Sequence, residues 1–222
     1  MAKQETFDDE QLNKYLKGTT TVGIVCKDGV VLGSDTRATM GYLIADKRAQ
    51  KIYQVDEKLG MTTAGLVGDN QALIRIMKAQ LSLSKMDGRA MTVKSAATLL
   101  ANIMHGRRYN PFYAQIIVGG HDESGGHVFE LDPAGGYSEK KVSSTGSGSP
   151  VAYGVLEEGY KGNLSVSDGV LLVIKALKSA LERDAGTGNH INIVTITEKG
   201  YEKLGDDQTK KIIDSLKKET VA

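Results

Sequence analysis

The sequence predicts an α+β fold in which two β-sheets pack together and helices cover their outer faces. Segments follow the order strands, two helices, strands, two helices, strand, which lacks the strict alternation of a doubly wound sheet. Each group of strands has one face to bury, and each helix pair can cover the opposite face. No linker rich in Pro, Gly or Ser divides the chain, so we predict one domain after a polar leader.

The first half of the chain predicts strands followed by two helices. The hairpin at Thr19 to Ser34 turns at Lys27-Asp28-Gly29, because Asp-Gly readily supplies the positive φ of a tight turn. Thr92 can cap the second helix, and Gly106 suits its C-terminal end. The other predicted elements are strands at Tyr42 to Ala45 and within Ile52 to Ala64, and a first helix at Gly68 to Met86.

The second half repeats this order. Pro150 suits the first turn of a third helix, which extends to about Glu158. Ser165-Val166-Ser167-Asp168 forms a capping box for a fourth helix, which reaches Arg183 and is closed by Gly186. The other predicted elements are strands at Ala114 to Gly120, Gly126 to Asp132, Tyr137 to Ser144 and His190 to Thr197, and a C-terminal helix from Gly205 onward.

Composition and charge exclude several classes of protein. One cysteine cannot form an internal disulfide and no zinc-ligand spacing occurs, so we predict neither a metal nor another cofactor. The 28 basic residues are scattered and nearly balanced by 27 acidic ones, which argues against nucleic-acid binding. No apolar run approaches the length of about 20 residues that a membrane span requires, and the leader lacks the hydrophobic segment of a secretion signal. We therefore expect a soluble, cytoplasmic protein.

The junction Gly18-Thr19 is a candidate cleavage site. Taken alone, the three threonines that begin at Thr19 are more typical of the start of a β-strand than of a cleavage site. If the chain is cut there, Thr19 carries both a hydroxyl and a free α-amine, whose reference pKa of about 7.7 to 8.0 lets it accept the hydroxyl proton. A glycine before the junction permits the distorted geometry in which the hydroxyl reaches the preceding carbonyl.

Six segments together resemble the β subunits of archaeal-type 20S proteasomes, which are N-terminal-nucleophile hydrolases. The resemblance extends from Gly18 to about Gly200 and implies a four-layer αββα sandwich. The segments are Gly18-Thr19-Thr20-Thr21-Val22-Gly23, Ser34-Asp35-Thr36-Arg37, Lys51-Ile52, Thr63-Ala64-Gly65-Leu66-Val67-Gly68-Asp69, Ser144-Thr145-Gly146-Ser147-Gly148-Ser149-Pro150 and Arg183-Asp184-Ala185-Gly186-Thr187-Gly188.

The resemblance implies a threonine endopeptidase with Thr19 as its nucleophile. Lys51 would place a positive charge beside Thr19, and Asp35 would pair with Lys51 and fix its position. The backbone N–H of Gly65 would stabilise the oxyanion of the attacked carbonyl. Residues 1–18 would be a propeptide removed by autocatalytic cleavage, which leaves residues 19–222 as the mature peptidase domain.

Ser147, Asp184 and Thr187 would form a hydrogen-bonded group that orients the new N-terminus. The family usually has serine at the position of Thr187, but threonine keeps the hydroxyl, so we expect the hydrogen bond to survive. The resemblance also implies a substrate pocket without an acidic group, and hence cleavage mainly after apolar residues. The pocket residues are Ala38, Thr39, Ala49, Tyr53, Thr63 and Val67.

The resemblance further implies a defined assembly. Seven β subunits would form a ring, with stacked rings capped by rings of α subunits and the active sites facing a closed chamber. An ATP-dependent unfoldase would deliver unfolded polypeptides to that chamber. Nucleic acid and membranes are not among the expected partners.

Several alternatives to an active proteasome subunit stay open at this point. They are an inactive structural subunit of the same fold, an N-terminal-nucleophile amidohydrolase acting on a small amide, and a bacterial threonine peptidase of the same superfamily. Without the resemblance, Asp35 would be read as a turn residue and Lys51 as a surface cation. Cys26 is more typical of a small core residue than of a catalytic thiol. His121 and His127, which flank a turn, are more typical of a solvated hairpin tip than of a metal site.

Overall fold

Twelve strands and five helices form residues 18–219, the part of the chain that a computed structural model describes. The strands are β1 (Thr21–Cys26), β2 (Gly29–Asp35), β3 (Ala38–Met40), β4 (Leu43–Asp46), β5 (Ile52–Asp56), β6 (Leu59–Gly65), β7 (Ala114–Asp122), β8 (Gly125–Leu131), β9 (Tyr137–Lys140), β10 (Val142–Thr145), β11 (Ile191–Thr197) and β12 (Gly200–Lys203). The helices are α1 (Val67–Met86), α2 (Val93–Gly106), α3 (Ser149–Gly159), α4 (Val166–Arg183) and α5 (Asp206–Glu219). The predicted propeptide, apart from Gly18, lies outside the described residues.

Two five-stranded antiparallel sheets form the centre of the protein. The first has the strand order β10-β1-β2-β11-β12, and the second has the order β5-β6-β7-β8-β9. In the predicted β1–β2 hairpin, Thr21 lies opposite Ser34 and Cys26 lies opposite Gly29. β3 and β4 pair separately in a short hairpin. All residues of β1 and β2 are buried because other layers cover both faces of these central strands.

Three layers of apolar side chains hold the sheets and helices together. Leu32 and Ile196 of the first sheet pack against Ile117 and Val128 of the second, which fills the space between the sheets. α1 and α2 cover the outer face of the second sheet. α3, α4 and α5 cover the outer face of the first. The order helix, sheet, sheet, helix confirms the predicted αββα sandwich, in which burial of each large side chain contributes about 1.5–3 kcal/mol.

Side-chain caps begin two of the helices at the predicted residues. Thr92 Oγ1 accepts a hydrogen bond from the Ser95 N–H at 3.1 Å before α2. Ser165 Oγ accepts from the Asp168 N–H at 3.1 Å before α4. Each cap satisfies a donor that the first turn of a helix otherwise leaves unpaired.

Several elements differ from the predictions, and β3 (Ala38–Met40) is an additional strand. The segment Tyr137 to Ser144 divides into β9 and β10, which belong to different sheets. β12 was not predicted, because its sequence GYEK lacks an apolar alternation; it is held as the edge strand beside β11. Gly186 does not close α4: the helix ends at Arg183, and Asp184 already has extended backbone angles of φ −99° and ψ 116°. Among residues 18–219, no helix is long and apolar enough to cross a bilayer.

Candidate active site

Gly18 is held in a conformation and a space that only glycine fits. Its φ of +106° is in the region that side chains disfavour. An added Cβ would overlap Thr39 Oγ1 and would lie 2.6 Å from the carbonyl oxygen of Gly186. The residue before the candidate cleavage junction is therefore fixed between the β3–β4 hairpin and the segment that follows α4.

The carbonyl oxygen of Gly18 accepts two hydrogen bonds. Thr19 Oγ1 donates to it at 2.7 Å, and Lys51 Nζ donates at 3.1 Å. The predicted nucleophile and the predicted cation therefore meet at the same carbonyl. A cation at a carbonyl oxygen withdraws electron density from the carbonyl carbon and favours negative charge on the oxygen.

Lys51 and Asp35 form a buried ion pair beside this carbonyl. Lys51 Nζ lies 2.7 Å from Asp35 Oδ1, and the two side chains are 6% and 0% exposed. The Asp35 carboxylate also accepts from the backbone N–H groups of Thr20, Arg37 and Gly188, each at 3.0 Å. Burial lowers the pKa of Lys51 below its usual value, and the adjacent Asp35 carboxylate offsets part of this shift. Asp35 therefore both positions the ammonium group and favours its charge.

Ser147, Asp184 and Thr187 form a chain of hydrogen bonds on the other side of Thr19. The Thr19 N–H donates to Ser147 Oγ at 3.3 Å, and Ser147 Oγ donates to Asp184 Oδ2 at 2.5 Å. Thr187 Oγ1 donates to the same carboxylate oxygen at 2.5 Å, so the hydrogen bond expected of the threonine is present. Thr187 Oγ1 also lies 2.6 Å from Thr20 Oγ1. Ser147 therefore connects this chain of hydrogen bonds to the backbone nitrogen of Thr19.

Gly65 ends β6 next to Thr19 and shares a cavity with it. The φ of Gly65 is +118°, and an added Cβ would overlap the carbonyl oxygen of Tyr113. A cavity of about 270 Å³ is bordered by Thr19, Gly65, Gln115 and Ser147, among others. The close backbone packing explains why glycine occupies position 65, while its role toward an oxyanion stays a prediction.

The six predicted pocket residues lie on β3, β5, β6, the start of α1 and the segment before β5. Thr39 is next to Gly18, as the packing of that glycine shows. Ala38 precedes it on β3, and the Ala49 N–H donates to Thr36 O at 2.9 Å. Tyr53 lies on β5, and its Oη donates to Gln50 O at 2.9 Å.

The other two pocket residues differ in exposure. Thr63 is buried on β6, and its N–H donates to Lys51 O at 3.0 Å. Val67, at the start of α1, is 59% exposed. The exposed side chain of Val67 lies on the surface of the described chain, whereas the backbone of Thr63 holds the segment that carries Lys51.

Two residues of the site had no role in the sequence analysis. The Arg37 guanidinium donates to Asn189 Oδ1 at 3.1 Å and to Ala185 O at 2.9 Å, and it packs over Gly188. It thereby joins the end of β2 to the segment that carries Asp184 and Thr187. The sequence signal that could have indicated a role for Arg37 is its position two residues after Asp35. For Gln115, no signal exists in the sequence, because its contact with the segment before α3 arises only in the folded chain.

The other candidate groups lie outside this site. Cys26 is buried at the end of β1, and burial raises the pKa of its thiol to about 12, as expected of a core residue. His127 contacts Glu139 and Ser124 near the β7–β8 turn. No group of three His, Cys, Asp or Glu side chains within residues 18–219 could hold a metal ion. A larger cavity of about 870 Å³ lies at the opposite ends of the strands, beside Glu57 and Asp122, far from the residues described above.

Comparisons with known proteins identify the family of the chain. The model of the family described as "Proteasome subunit" matches residues 15–196. The chain is 48% identical over 200 residues to the proteasome subunit beta of Methanosarcina mazei, which covers 89% of this chain and 95% of the relative. It is 50% identical over 207 residues to the proteasome subunit beta of Methanohalophilus mahii, covering 92% of this chain and 99% of the relative.

The relative from Methanocaldococcus jannaschii, also a proteasome subunit beta, is 50% identical over 205 residues, with 91% of this chain and 92% of the relative covered. These matches extend over the strands, helices and loops that supply the site, from Thr19 to Thr187. They confirm the resemblance drawn from the six segments and favour it over the small-amide hydrolase and the bacterial peptidase. The chain belongs to the proteasome subunit family and is of its β type.

Proposed function

We propose that this proteolytic β subunit of the 20S core is a threonine endopeptidase whose nucleophile is Thr19, and that it removes its own propeptide between Gly18 and Thr19. The observation that carries the proposal is the pair of hydrogen bonds at the Gly18 carbonyl, from Thr19 Oγ1 at 2.7 Å and Lys51 Nζ at 3.1 Å. These two bonds support the proposal because they bring the proposed nucleophile and the proposed cation to the carbonyl that would be attacked.

Propeptide removal is an acyl transfer followed by hydrolysis. Thr19 Oγ bonds to the Gly18 carbonyl carbon while Lys51 stabilises the oxygen, and the bond from that carbon to the Thr19 nitrogen then breaks. The hydroxyl proton ends on the released amine, with Ser147 Oγ at 3.3 Å from that nitrogen as its nearest relay. Water cleaves the resulting ester, which frees residues 1–18 with a carboxylate at Gly18.

The mature enzyme repeats this chemistry on substrates. The α-amine of Thr19 takes the hydroxyl proton, Thr19 Oγ attacks a peptide carbonyl, and the Gly65 N–H receives the developing oxyanion. Charge on Lys51 favours the neutral amine and the developing alkoxide. The pocket residues around Thr39 carry no acid, which favours apolar side chains before the cleaved bond.

The proposed assembly and location follow from the family. As a member of the family, the chain is part of a multisubunit core. We propose a seven-membered β ring, α-subunit rings above and below it, and an ATP-dependent unfoldase that feeds unfolded polypeptides to the chamber. We also propose a cytoplasmic location. An inactive subunit of this type is less well supported, because Thr19 and Lys51 donate to the same carbonyl, Asp35 pairs with Lys51, and Ser147 joins Thr19 to Asp184.

The test is a pair of Thr19 variants co-expressed with an α subunit. In assembled particles, Thr19→Ala should retain residues 1–18 by intact mass and should lose peptidase activity, since alanine has no nucleophile. Thr19→Ser keeps a hydroxyl and should still release the propeptide. Particles in which Thr19→Ala is processed and active would move the nucleophile to another residue.

A further inference from the structure

One polar side chain beside Thr19 has no task in the proposed reaction. Gln115, near the start of β7, borders the 270 Å³ cavity together with Gly65 and Ser147. Its Oε1 accepts from the Gly146 N–H at 3.2 Å. Because a backbone N–H can only donate, the amide atom that faces Gly146 must be the oxygen. The other amide atom is then Nε2, which carries two N–H donors. Within residues 18–219, no hydrogen bond occupies these donors.

The cavity lies on the side of Thr19 where the leaving amine must be. Gly18, the residue before the proposed cleaved bond, lies on the acyl side and packs against Thr39 and Gly186. The amine side is marked by Ser147, whose Oγ accepts from the Thr19 nitrogen at 3.3 Å and in turn donates to Asp184. A group that relays a proton to the departing amine must be next to it. The wall that contains Ser147, Gly146 and Gln115 therefore faces the part of the substrate that follows the cleaved bond.

The size and polarity of this cavity suit a short piece of peptide. Its volume of about 270 Å³ is just below the range of roughly 300–1,000 Å³ for pockets that hold drug-sized molecules. An extended peptide presents a carbonyl at every residue, and each carbonyl needs a donor once water is displaced. A free amide NH₂ on the wall supplies such a donor without adding charge.

We propose, resting on the function above, that Gln115 is a specificity-determining residue that binds the leaving side of the substrate. Its Nε2 donates to a carbonyl oxygen just after the cleaved bond, while its Oε1 holds Gly146 and the adjacent Ser147 in place. The residue thus couples binding of the departing segment to the position of the proton relay.

The test compares two substrates that share one acyl sequence, using assembled particles. One is an aminomethylcoumarin amide, which has no peptide carbonyl after the cleaved bond. The other is an internally quenched peptide that continues for several residues. Gln115→Glu keeps an oxygen to accept from Gly146 but replaces the NH₂ donors by a carboxylate oxygen. We expect the ratio of kcat/KM for the long peptide to that for the amide to fall about fivefold, the effect of one ordinary hydrogen bond.

The negative charge that Gln115→Glu introduces adds a readout that a purely structural role would not produce. In Gln115→Glu particles, a long peptide with Lys directly after the cleaved bond should be favoured over the same peptide with Ala, relative to wild type. Gln80→Glu, the same change on the exposed face of α1, should leave both ratios at their wild-type values.

Two results would overturn the inference. One is a Gln115→Glu ratio equal to that of wild type, and the other is an equal loss on both substrates without any new preference for Lys. Failure of the proposed function has a different signature: wild-type and Thr19→Ala particles would then hydrolyse the coumarin amide at equal rates, and the inference would fall with it.

Discussion

At the scale of single residues, the charge of Lys51 is set by two opposing effects. Burial disfavours the ammonium form and lowers the pKa of Lys51, while the Asp35 carboxylate 2.7 Å away raises it in part. If the protonated form is needed for turnover, activity falls as pH rises through this pKa, which lies below the usual 10.5. On the acid side, activity rises as the Thr19 amine loses its proton, so the profile should be bell-shaped.

Asp35→Asn should move the alkaline side of this profile to lower pH. The amide keeps a hydrogen-bond acceptor but removes the charge that favours protonated Lys51, so the pKa of Lys51 should fall further. The measurement is kcat against pH for particles whose β subunit is expressed without residues 1–18, so that processing does not interfere. Glu158→Gln, an exposed change on α3, is the control. An alkaline limb at the wild-type pH in the Asp35 variant would contradict the assigned coupling.

The sequence alone predicted the centre of the candidate site but not the residues that support it. Thr19, Asp35 and Lys51 lie in segments that resemble the family, and the structure brings Thr19 and Lys51 together at one carbonyl, with Asp35 paired to Lys51. The roles of Arg37 and Gln115 depend on contacts with residues 152 and 31 positions away. No local pattern encodes such contacts, because they depend on how the layers are stacked.

At the scale of secondary structure, helix starts were predictable because their signals are local. The Ser165 cap should therefore have a measurable effect of its own. Ser165→Ala removes the acceptor for the Asp168 N–H and should cost about 1 kcal/mol. For a domain of this size that corresponds to a decrease of roughly 2–4 °C in Tm.

The matched control for this cap is Ser167→Ala, an exposed serine two residues further along α4. It changes the same atoms in the same helix without removing the Ser165 cap, so Tm should stay near the wild-type value. Thermal unfolding followed by circular dichroism distinguishes the two variants. Equal melting temperatures for both would show that Ser165 does not determine where α4 begins.

Strand assignments were less predictable, for a physical reason. Tyr137 to Lys140 is exposed and pairs with β8, whereas Val142 to Thr145 is largely buried and pairs with β1. The two strands are separated by Lys141 alone, and nothing in their residue types indicates that the chain passes from one sheet to the other there. Pairing between strands depends on partners distant in sequence, which a local pattern cannot report.

At the scale of the whole molecule, the sandwich gathers the site at one end of its layers. Thr19 precedes β1, Asp35 ends β2, Lys51 precedes β5, Ser147 precedes α3 and Asp184 follows α4. Segments 128 positions apart, such as Thr19 and Ser147, are brought within hydrogen-bond distance. The geometry of the site therefore depends on how closely each helix layer approaches its sheet.

Gly33→Ala tests this dependence where α4 packs on β2. An added Cβ at position 33 would overlap Val173 and lie 2.9 Å from Leu177 Cδ1, both fully buried side chains of α4. Overpacking of this kind costs typically 1–3 kcal/mol, which corresponds to a loss of roughly 2–12 °C in Tm. Since Asp184 directly follows α4, displacement of the helix should also lengthen the bond between Asp184 and Ser147 and slow turnover well below Tm.

Gly154→Ala is the matched control for this change, because an added Cβ on α3 meets no atom within 4 Å. Alanine is favoured over glycine in a helix by about 1 kcal/mol, so this variant should melt higher than wild type and keep its activity. The measurements are melting curves and the rate of coumarin-amide hydrolysis at one temperature, compared between the two variants. If Gly33→Ala melts lower but turns over at the wild-type rate, the spacing between α4 and β2 contributes to stability without setting the geometry of the site.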